Sequence, residues 1–187
     1  MEKHAMYYDT IIKLTNAISQ YKDPEEVALT TAESVKTAFN AKGCSVFLVN
    51  RETRELGLVA SSGLSEEYLN KGPIHFMQTI SEAKDAVPIA IHDVMDDPRI
   101  EYPEQAKKEG IASLLGVPVI SSNKIIGALR VYTAEPWEFS HHDINMVQAV
   151  ALICGMAMEM CRMYKGYKTS IEILKNMRDE DSYKSHK

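Results

Sequence analysis

The sequence predicts an α+β fold, in which helices at both ends of the chain flank a central β-sheet. Apolar residues recur at spacings of three and four near both ends of the chain, which is typical of amphipathic helices. Between them, two pairs of β-branched or alternating apolar segments are separated by short polar turns, which predicts hairpins. A length of 187 residues fits one domain.

Two helices are predicted before Gly43. The first ends near Tyr21 and has one apolar stripe, made of Tyr7, Ile11, Leu14 and Ile18. The second begins with three start signals: Asp23 as the N-cap, Pro24 at the first helical position, and Glu26 completing a capping box. Its inward face is predicted to contain Val27, Ala28, Thr31, Val35, Ala38 and Phe39.

Strands are predicted where the apolar period changes to two. Residues 44–49 and 56–60 form the first hairpin, and residues 113–120 and 124–132 form the second. A short strand is predicted at residues 87–91. Between the hairpins, Ser65 can cap a short helix that reaches Leu69, and residues 104–109 form another that Gly110 closes.

The last helix carries the most regular pattern in the sequence. Ser140 is its predicted N-cap, Asp143 completes the capping box, and nothing interrupts the helix until about Arg178. A heptad stripe alternates spacings of four and three through Met146, Val150, Ile153, Ala157, Met160, Tyr164, Tyr167, Ile171 and Leu174. The first half can cover the sheet, but beyond Arg162 no domain remains to cover. The predicted organisation is therefore a domain at 1–165, a coiled-coil extension at 166–178 and a disordered tail at 179–187.

Composition excludes several functional classes. Lys and Arg number 21 against 26 Asp and Glu, a formal charge of −5, and no basic block is long enough to follow a nucleic-acid backbone. The three cysteines, Cys44, Cys154 and Cys161, are too scattered for a disulfide framework or a zinc site. The most apolar run, residues 149–158, is too short to cross a bilayer. We therefore expect a cytoplasmic protein that binds neither nucleic acid nor membrane.

The order of these elements, with the local sequences along it, resembles the GAF domain family over roughly residues 8–165. The resemblance is carried by CSVFLV at 44–49, LVASSGL at 58–64, IAIHDV at 89–94, DPR at 97–99, SLLGVPV at 113–119 and IGAL at 126–129, followed by Phe139 and Asp143. It implies a GAF-like (profilin/PAS-like) central antiparallel sheet of five or six strands. The N- and C-terminal helices would cover one face, and loops on the other would roof a small-molecule pocket.

The resemblance does not name the ligand, because related domains bind cyclic nucleotides, bilins, haem, iron or amino-acid derivatives. Ser45 matches a serine that contacts the nucleotide in cyclic-nucleotide-binding members, and neighbouring contacts would fall on Ser61, Ser62 and Ile111. Thr133-Ala134 and Ile144 replace the charged residues of those members, so tight binding of cyclic GMP or cyclic AMP is not expected. The roof loops add an apolar set that suits an organic ligand or simply fills a core: Phe76, Met77, Met95 and Tyr102.

Catalysis and metal binding are not expected. The free methionine sulfoxide reductases, the enzymatic branch of this family, use cysteines in the pocket loops, whereas Cys44 lies in a strand and the other two lie on the last helix. The adjacent pair His141-His142 points in two directions on a helix and cannot jointly chelate a metal. The polar loop at 92–99 is interpreted as turn chemistry.

The sequence thus predicts a sensory domain that binds an unidentified small molecule, forms a homodimer and signals to an effector protein. The predicted dimer interface consists of Tyr7, Ile11, Leu14, Ile18, Met160, Tyr164, Tyr167, Ile171 and Leu174. Two alternatives remain open: a redox enzyme of the free methionine sulfoxide reductase type on the same fold, and a purely structural dimerisation module whose pocket is filled by side chains.

Overall fold

The structure is a computed structural model that describes residues 2–20, 23–50, 52–53, 55–75 and 87–184, with backbone alone at 2–6, 17, 75 and 178–184. Within these ranges the chain forms five helices: α1 (Glu2–Ile18), α2 (Pro24–Phe39), α3 (Glu66–Leu69), α4 (Pro103–Glu109) and α5 (His141–Lys184). It also forms six strands: β1 (Gly43–Val49), β2 (Glu55–Ser62), β3 (Ile74–His75), β4 (Ile89–Ile91), β5 (Ser113–Ser121) and β6 (Lys124–Thr133).

The strands form one antiparallel sheet in the order β3-β2-β1-β6-β5-β4. This confirms the predicted α+β, GAF-like fold and both hairpins. The β5–β6 turn places Ser122 and Asn123 at φ 49° and 59°, the left-handed region required by the commonest two-residue hairpin turn. The short strand β3 was not predicted, because two residues are too few to show an alternating pattern.

The helix starts are capped by the residues that the sequence predicts. The Asp23 carboxylate accepts a hydrogen bond from the Glu25 amide at 3.0 Å, and Pro24 opens α2. At the start of α5, the Ser140 amide donates to Asp143 Oδ2 at 3.0 Å, and the Asp143 amide donates to Ser140 Oγ at 3.3 Å. These reciprocal bonds satisfy amides that lack helical partners and fix where the long helix begins.

Apolar clusters of the described residues cover both faces of the sheet, and a third, smaller one contains Phe47, Leu56, Ile74 and Ala128. The helix-side core is formed by α1, α2, α5 and the inward side chains of the central strands, such as Leu14, Val35, Val117 and Val150. All six predicted inward residues of α2 are buried. The roof-side core joins α3, α4 and the loop after β4 to the other face, through residues that include Tyr68, Ile91, Ala106, Leu114 and Tyr132.

The stripe on α1 packs inside the domain, which differs from its predicted place in a dimer interface. Tyr7 and Leu14 are 6% and 0% exposed, and Ile11 and Ile18 are partly buried against the same helix-side core. The Tyr7 hydroxyl also donates a 2.6 Å hydrogen bond to Asp143 Oδ1. These four side chains therefore cover the domain itself.

The last helix is longer than predicted. It continues to Lys184, so residues 179–184, which were expected in a disordered tail, are helical. Along this helix, Met146, Val150 and Ala157 are buried against the sheet, whereas every residue from 162 to 177 is exposed. The first half of the heptad stripe therefore covers the domain, and the second half leaves it.

One segment of α5, His141–Met177, is long and apolar enough to cross a membrane by length and composition. Half of its most apolar window is buried inside the domain. A core helix of a water-soluble protein can have the same length and apolar composition, so this segment is weak support for a membrane location.

Candidate functional site

A polar row crosses the roof-side face of the sheet. Strand register places Ser61 of β2 opposite Ser45 of β1, Ser45 opposite Arg130 of β6, and Arg130 opposite Gly116 of β5. Ser45 Oγ and Ser61 Oγ are 2.9 Å apart and hydrogen-bonded. Arg130 is 8% exposed, and its guanidinium carbon lies 5.7 Å from the centroid of the Phe47 ring. A buried charge in this position gives the sheet a cationic floor.

A cavity lies above this floor, between α3 and the loop after β4. It is lined by Tyr68, Lys71, Ile91, Arg99, Ile100, Glu101, Tyr102, Leu114 and Arg130. The Tyr68 ring meets the Tyr132 ring edge-on, with centroids 5.9 Å apart. Tyr102 closes one side, because its hydroxyl donates to the Pro73 carbonyl at 2.9 Å. The lining is thus aromatic and apolar with several charges, as in many ligand pockets.

Lys71 contributes a second cation to the cavity wall. Its ammonium donates to the Tyr68 carbonyl at 3.0 Å and lies 3.7 Å from the centroid of the Tyr68 ring. Burial, and then the positive charge of Arg130, lower the pKa of Lys71 to about 8. Lys71 is therefore still mostly charged at neutral pH, although bringing it beside Arg130 is unfavourable.

Of the predicted ligand-binding residues, Tyr102 lines this cavity. Ser45 and Ser61 belong to the polar row, in which Ser45 pairs with Arg130 and Ser61 hydrogen-bonds Ser45. Ile111 is buried in the roof-side core, and Met95 is 42% exposed on the loop after β4.

Two other groups of predicted residues do not join the cavity. Ser62 pairs with Cys44, whose side chain lies in the helix-side core, so alternation along the strand directs Ser62 to that opposite face. Phe76 and Met77 lie outside the described residues.

The sequence interpretation missed Arg130, Lys71 and Tyr68. A signal for Arg130 was present, because it is a single charge inside the apolar strand segment Ala128–Tyr132. A buried charge in a strand requires a partner or a function. Lys71 and Tyr68 gave no comparable signal, since Tyr68 lies in a short surface helix and Lys71 shortly after it, and both reach the cavity only through the packing of α3.

The polar loop at residues 92–99 forms turns, as the sequence interpretation proposed. Asp93 Oδ1 accepts a hydrogen bond from the Met95 amide at 2.8 Å, and Asp97 Oδ1 accepts from the Arg99 amide at 2.9 Å. The Arg99 guanidinium also bonds both carboxylate oxygens of Asp97. These bonds lower the pKa of Asp97, chiefly through the side chain of Arg99. Both carboxylates are thus used in shaping the loop.

All three cysteines lie on the side of the sheet opposite the cavity. Cys44, Cys154 and Cys161 belong to the helix-side core and are at most 5% exposed. Burial raises the pKa of Cys44 well above its ordinary range, and burial raises that of Cys154 to about 11. A thiol with a raised pKa carries little thiolate at neutral pH and is a poor nucleophile.

We expect the three thiols of the folded protein to react with a disulfide reagent far more slowly than free cysteine at neutral pH, and all three to react after unfolding in denaturant. Absorbance of the released thiolate would follow the reaction. One thiol that reacts as fast as free cysteine would instead indicate the activated nucleophile of a redox enzyme.

A second feature is an exposed apolar surface along α5, here called the helical seam. It contains Met156, Met160, Met163, Tyr164, Tyr167, Ile171 and Leu174, which are 48–70% exposed. Met160, Tyr164, Tyr167, Ile171 and Leu174 were predicted at a dimer interface. Monomeric proteins rarely expose a continuous apolar surface of this kind, which typically marks an interaction site.

Comparison with known proteins identifies the fold. A model of the family described as GAF domain matches residues 23–158. A domain described as part of a two-component sensor histidine kinase from Sinorhizobium meliloti is 25% identical, with a TM-score of 0.65, over 77% of this chain and 96% of that one. No curated protein matches closely enough to count as a relative.

Two further solved structures share the fold at lower identity. The GAF domain of a phosphoenolpyruvate-protein phosphotransferase from Coxiella burnetii is 19% identical, with a TM-score of 0.73, over 86% of this chain and 96% of that one. Free methionine-R-sulfoxide reductase from Neisseria meningitidis, solved with its substrate, is 21% identical, with a TM-score of 0.73, over 88% and 95%. At these identities the likeness concerns the fold alone.

Proposed function

This chain belongs to the GAF domain family, and on that premise we propose that it is a cytoplasmic sensory domain. It binds a small molecule in the cavity above the polar row, and binding changes the arrangement of its terminal helices. These helices associate in a homodimer and act on an effector protein. Two observations support this proposal: a charged, partly aromatic cavity on one face of the sheet, and an exposed apolar helical seam on the helix that packs against the other face.

A hydrogen-bonded route connects the two faces. Ser113 Oγ donates to the His92 carbonyl at 2.5 Å, at the start of the loop that forms one cavity wall. The same oxygen accepts a hydrogen bond from the Trp137 amide at 2.8 Å, in the segment that leads into α5. Displacement of the loop by a ligand would therefore pull on the residues that set the start of α5.

From Trp137 the route continues into both terminal helices through aromatic contacts. Trp137 stacks on Phe139 with ring centroids 6.2 Å apart and lies 6.4 Å from the ring of Phe39 in α2. Tyr7 of α1 stacks on Phe39 at 5.2 Å and bonds Asp143 of α5 through its hydroxyl. A packed cluster of this kind has few alternative arrangements, so it transmits a displacement instead of absorbing it.

A second copy of this chain is the proposed partner of the helical seam. A single helix surrounded by water is marginally stable even when its sequence favours helix, because nucleation is costly and no tertiary contact offsets it. The exposed length of α5 beyond Arg162 carries apolar side chains at heptad spacing, and this pattern favours association of like helices. On α1, Tyr8 and Ile12 are 72% and 55% exposed, and they replace the buried Tyr7 and Leu14 as its contribution.

The reductase alternative receives less support than the sensor. It needs a cysteine at the cavity, whereas the three thiols pack in the helix-side core. The other alternative, a purely structural dimerisation module, predicts a dimer without a ligand. Native mass spectrometry distinguishes this module from the sensor.

Native mass spectrometry of freshly purified protein tests the proposal. We expect a dimer that carries a retained small molecule, released when the protein is denatured. A dimer without any bound molecule, also after incubation with a cell extract of small metabolites, would favour the structural module. A monomer at micromolar concentration would contradict the dimer.

A further inference from the structure

A second cavity lies beside α5, at the end of the sheet where this helix leaves the domain. Its volume is about 140 Å³, and its apolar lining consists of Leu48, Val49, Ile125 and Ile126 from the ends of β1 and β6 and Met158 from α5. We call it the exit cavity. It shares no lining residue with the cavity above the polar row, so the two spaces are separate.

The exit cavity exists because α5 and the sheet diverge. At Gly155 the helix lies so close to β5 that an added Cβ atom would be 2.3 Å from the carbonyl oxygen of Ile120. Met158 is still 3% exposed, but the side chain of Arg162, one turn later, is 66% exposed. A straight helix cannot follow a twisted sheet along its whole length. A gap therefore opens between α5 and the ends of β1 and β6.

The described side chains do not fill this gap. Leu48 and Ile126 pack against the helix-side core, and Val49 and Ile125 pack against the smaller cluster around Phe47. All four nevertheless remain partly exposed. A concave apolar surface that touches water favours an apolar occupant, because covering that surface lowers the free energy.

The charged residues of the lining neutralise each other. Arg162 Nη2 lies 3.0 Å from Glu159 Oε2, one turn apart on α5. Next to the cavity, Lys165 Nζ lies 2.8 Å from Asp23 Oδ2, which precedes Pro24 of the lining. Because each of these charges has an opposite charge beside it, the cavity favours an uncharged molecule.

Size and lining define the class of ligand further. Apolar protein cavities of about 150 Å³ stay free of water and bind benzene or xenon. A water molecule would need about two to four polar partners, whereas the strand ends offer aliphatic side chains. Met158 adds a thioether, which makes favourable contacts with aromatic rings, and the guanidinium of Arg162 suits the face of a ring.

We propose that the exit cavity is a second ligand site, which binds an uncharged aromatic molecule of about the size of benzene. The ligand lies between the strand ends and the last turn of α5 that touches the domain. Its occupancy acts on the direction of α5 directly, without the route through Trp137. This site needs neither a ligand above the polar row nor a dimer.

Nuclear magnetic resonance titrations of the full-length protein with fluorobenzene and its charged counterpart 4-fluorobenzoate test the inference. We expect fluorobenzene to bind with a dissociation constant of about 1 mM or tighter, which the usual affinity per atom of small ligands allows. It should shift the methyl signals of Leu48, Ile126 and Met158. The methyl signals of Ile91 and Leu114, in the cavity above the polar row, should stay unchanged. The same concentration of 4-fluorobenzoate should leave the Met158 signal in place.

One substitution and a matched control complete the experiment. Ile126→Trp should weaken binding of fluorobenzene at least about tenfold, because the indole ring takes up space that the ligand needs. Ile173→Trp makes the same chemical change at a residue of α5 that is 54% exposed and lies beyond the domain, so binding should be unchanged. If Ile126→Trp fails to fold, the methyl shifts of the wild type and the comparison with 4-fluorobenzoate still decide.

The inference is wrong if fluorobenzene leaves the Met158 methyl signal unchanged up to its solubility limit, or shifts Ile91 and Leu114 instead. It is also wrong if 4-fluorobenzoate binds as tightly, or if Ile126→Trp binds fluorobenzene as the wild type does. Binding to a monomeric variant but not to the wild type would show that a side chain of a second copy fills the cavity, and would contradict it too. The proposed sensory function concerns the other cavity and would stand in each case.

Discussion

Gly155→Ala is expected to destabilise the protein by about 1–3 kcal/mol, although alanine is the better helix former. A Cβ atom at this position would lie 2.3 Å from the backbone carbonyl oxygen of Ile120 and 3.1 Å from Val119 Cγ1. The backbone carbonyl of Ile120, near the end of β5, cannot turn aside as a flexible side chain can. The helix would have to move away from β5, and the helix-side core would loosen with it.

Gly166→Ala is the matched control, because it makes the same chemical change in the same helix. Nothing lies within 4 Å of the added Cβ atom at this position. Only the helix propensity then changes, so we expect a gain of about 1 kcal/mol. In a domain of this size that corresponds to a rise in Tm of about 2–4 °C.

Thermal and urea unfolding of both variants at one protein concentration measure the two effects, and a fixed concentration is needed because association shifts the apparent stability. If Gly155→Ala lowers the free energy of unfolding and Gly166→Ala raises it, α5 packs on β5 at the distance described. If both glycine substitutions stabilise the protein equally, α5 does not approach the sheet so closely.

The double substitution Tyr167→Glu with Leu174→Glu is expected to weaken the dimer by at least about a hundredfold, since burial of each such side chain contributes roughly 1.5–3 kcal/mol. The two residues are 70% and 66% exposed in the single chain and occupy the same heptad position. In a parallel pair of helices the four glutamates would face one another. The loss of apolar burial and the repulsion between the charges would then both weaken the dimer. Sedimentation equilibrium measures the dissociation constant.

Thr169→Glu with Asn176→Glu is the matched control, with the same added charge and spacing. Residues two apart on a helix are separated by about 200°, which places these substitutions on the face away from the helical seam. Circular dichroism would verify that both variants keep their helix. If the seam variant remains as dimeric as the control, or the wild type is monomeric at tens of micromolar, the helical seam does not form the dimer.

The fold could be predicted almost completely because its signals are local. Asp23, Ser65 and Ser140 cap helices through bonds to amides two or three residues away, so a short stretch of sequence contains both partners. The hairpins were visible for the same reason: alternation and turn residues lie within about ten residues of one another.

The candidate site could be predicted only in part. Ser45 and Ser61 were found because they lie in segments that resemble a known family. The convergence of Lys71 on Arg130 depends on how α3 packs over the sheet. Arg130 stood out in the sequence as a charged residue in an apolar strand. Only the tertiary packing shows that Lys71 lines the same cavity.

The sequence by itself determined the α+β class, the helix starts, the two hairpins and the apolar stripes on α1 and α5, because each follows from interactions between residues close in the chain. The tertiary structure alone decided what each stripe covers. Tyr7 meets Asp143 across 136 residues, and this contact turns the α1 stripe into the domain. The same holds for Gly155: only the folded structure shows that a Cβ atom at this position would lie 2.3 Å from the carbonyl oxygen of Ile120.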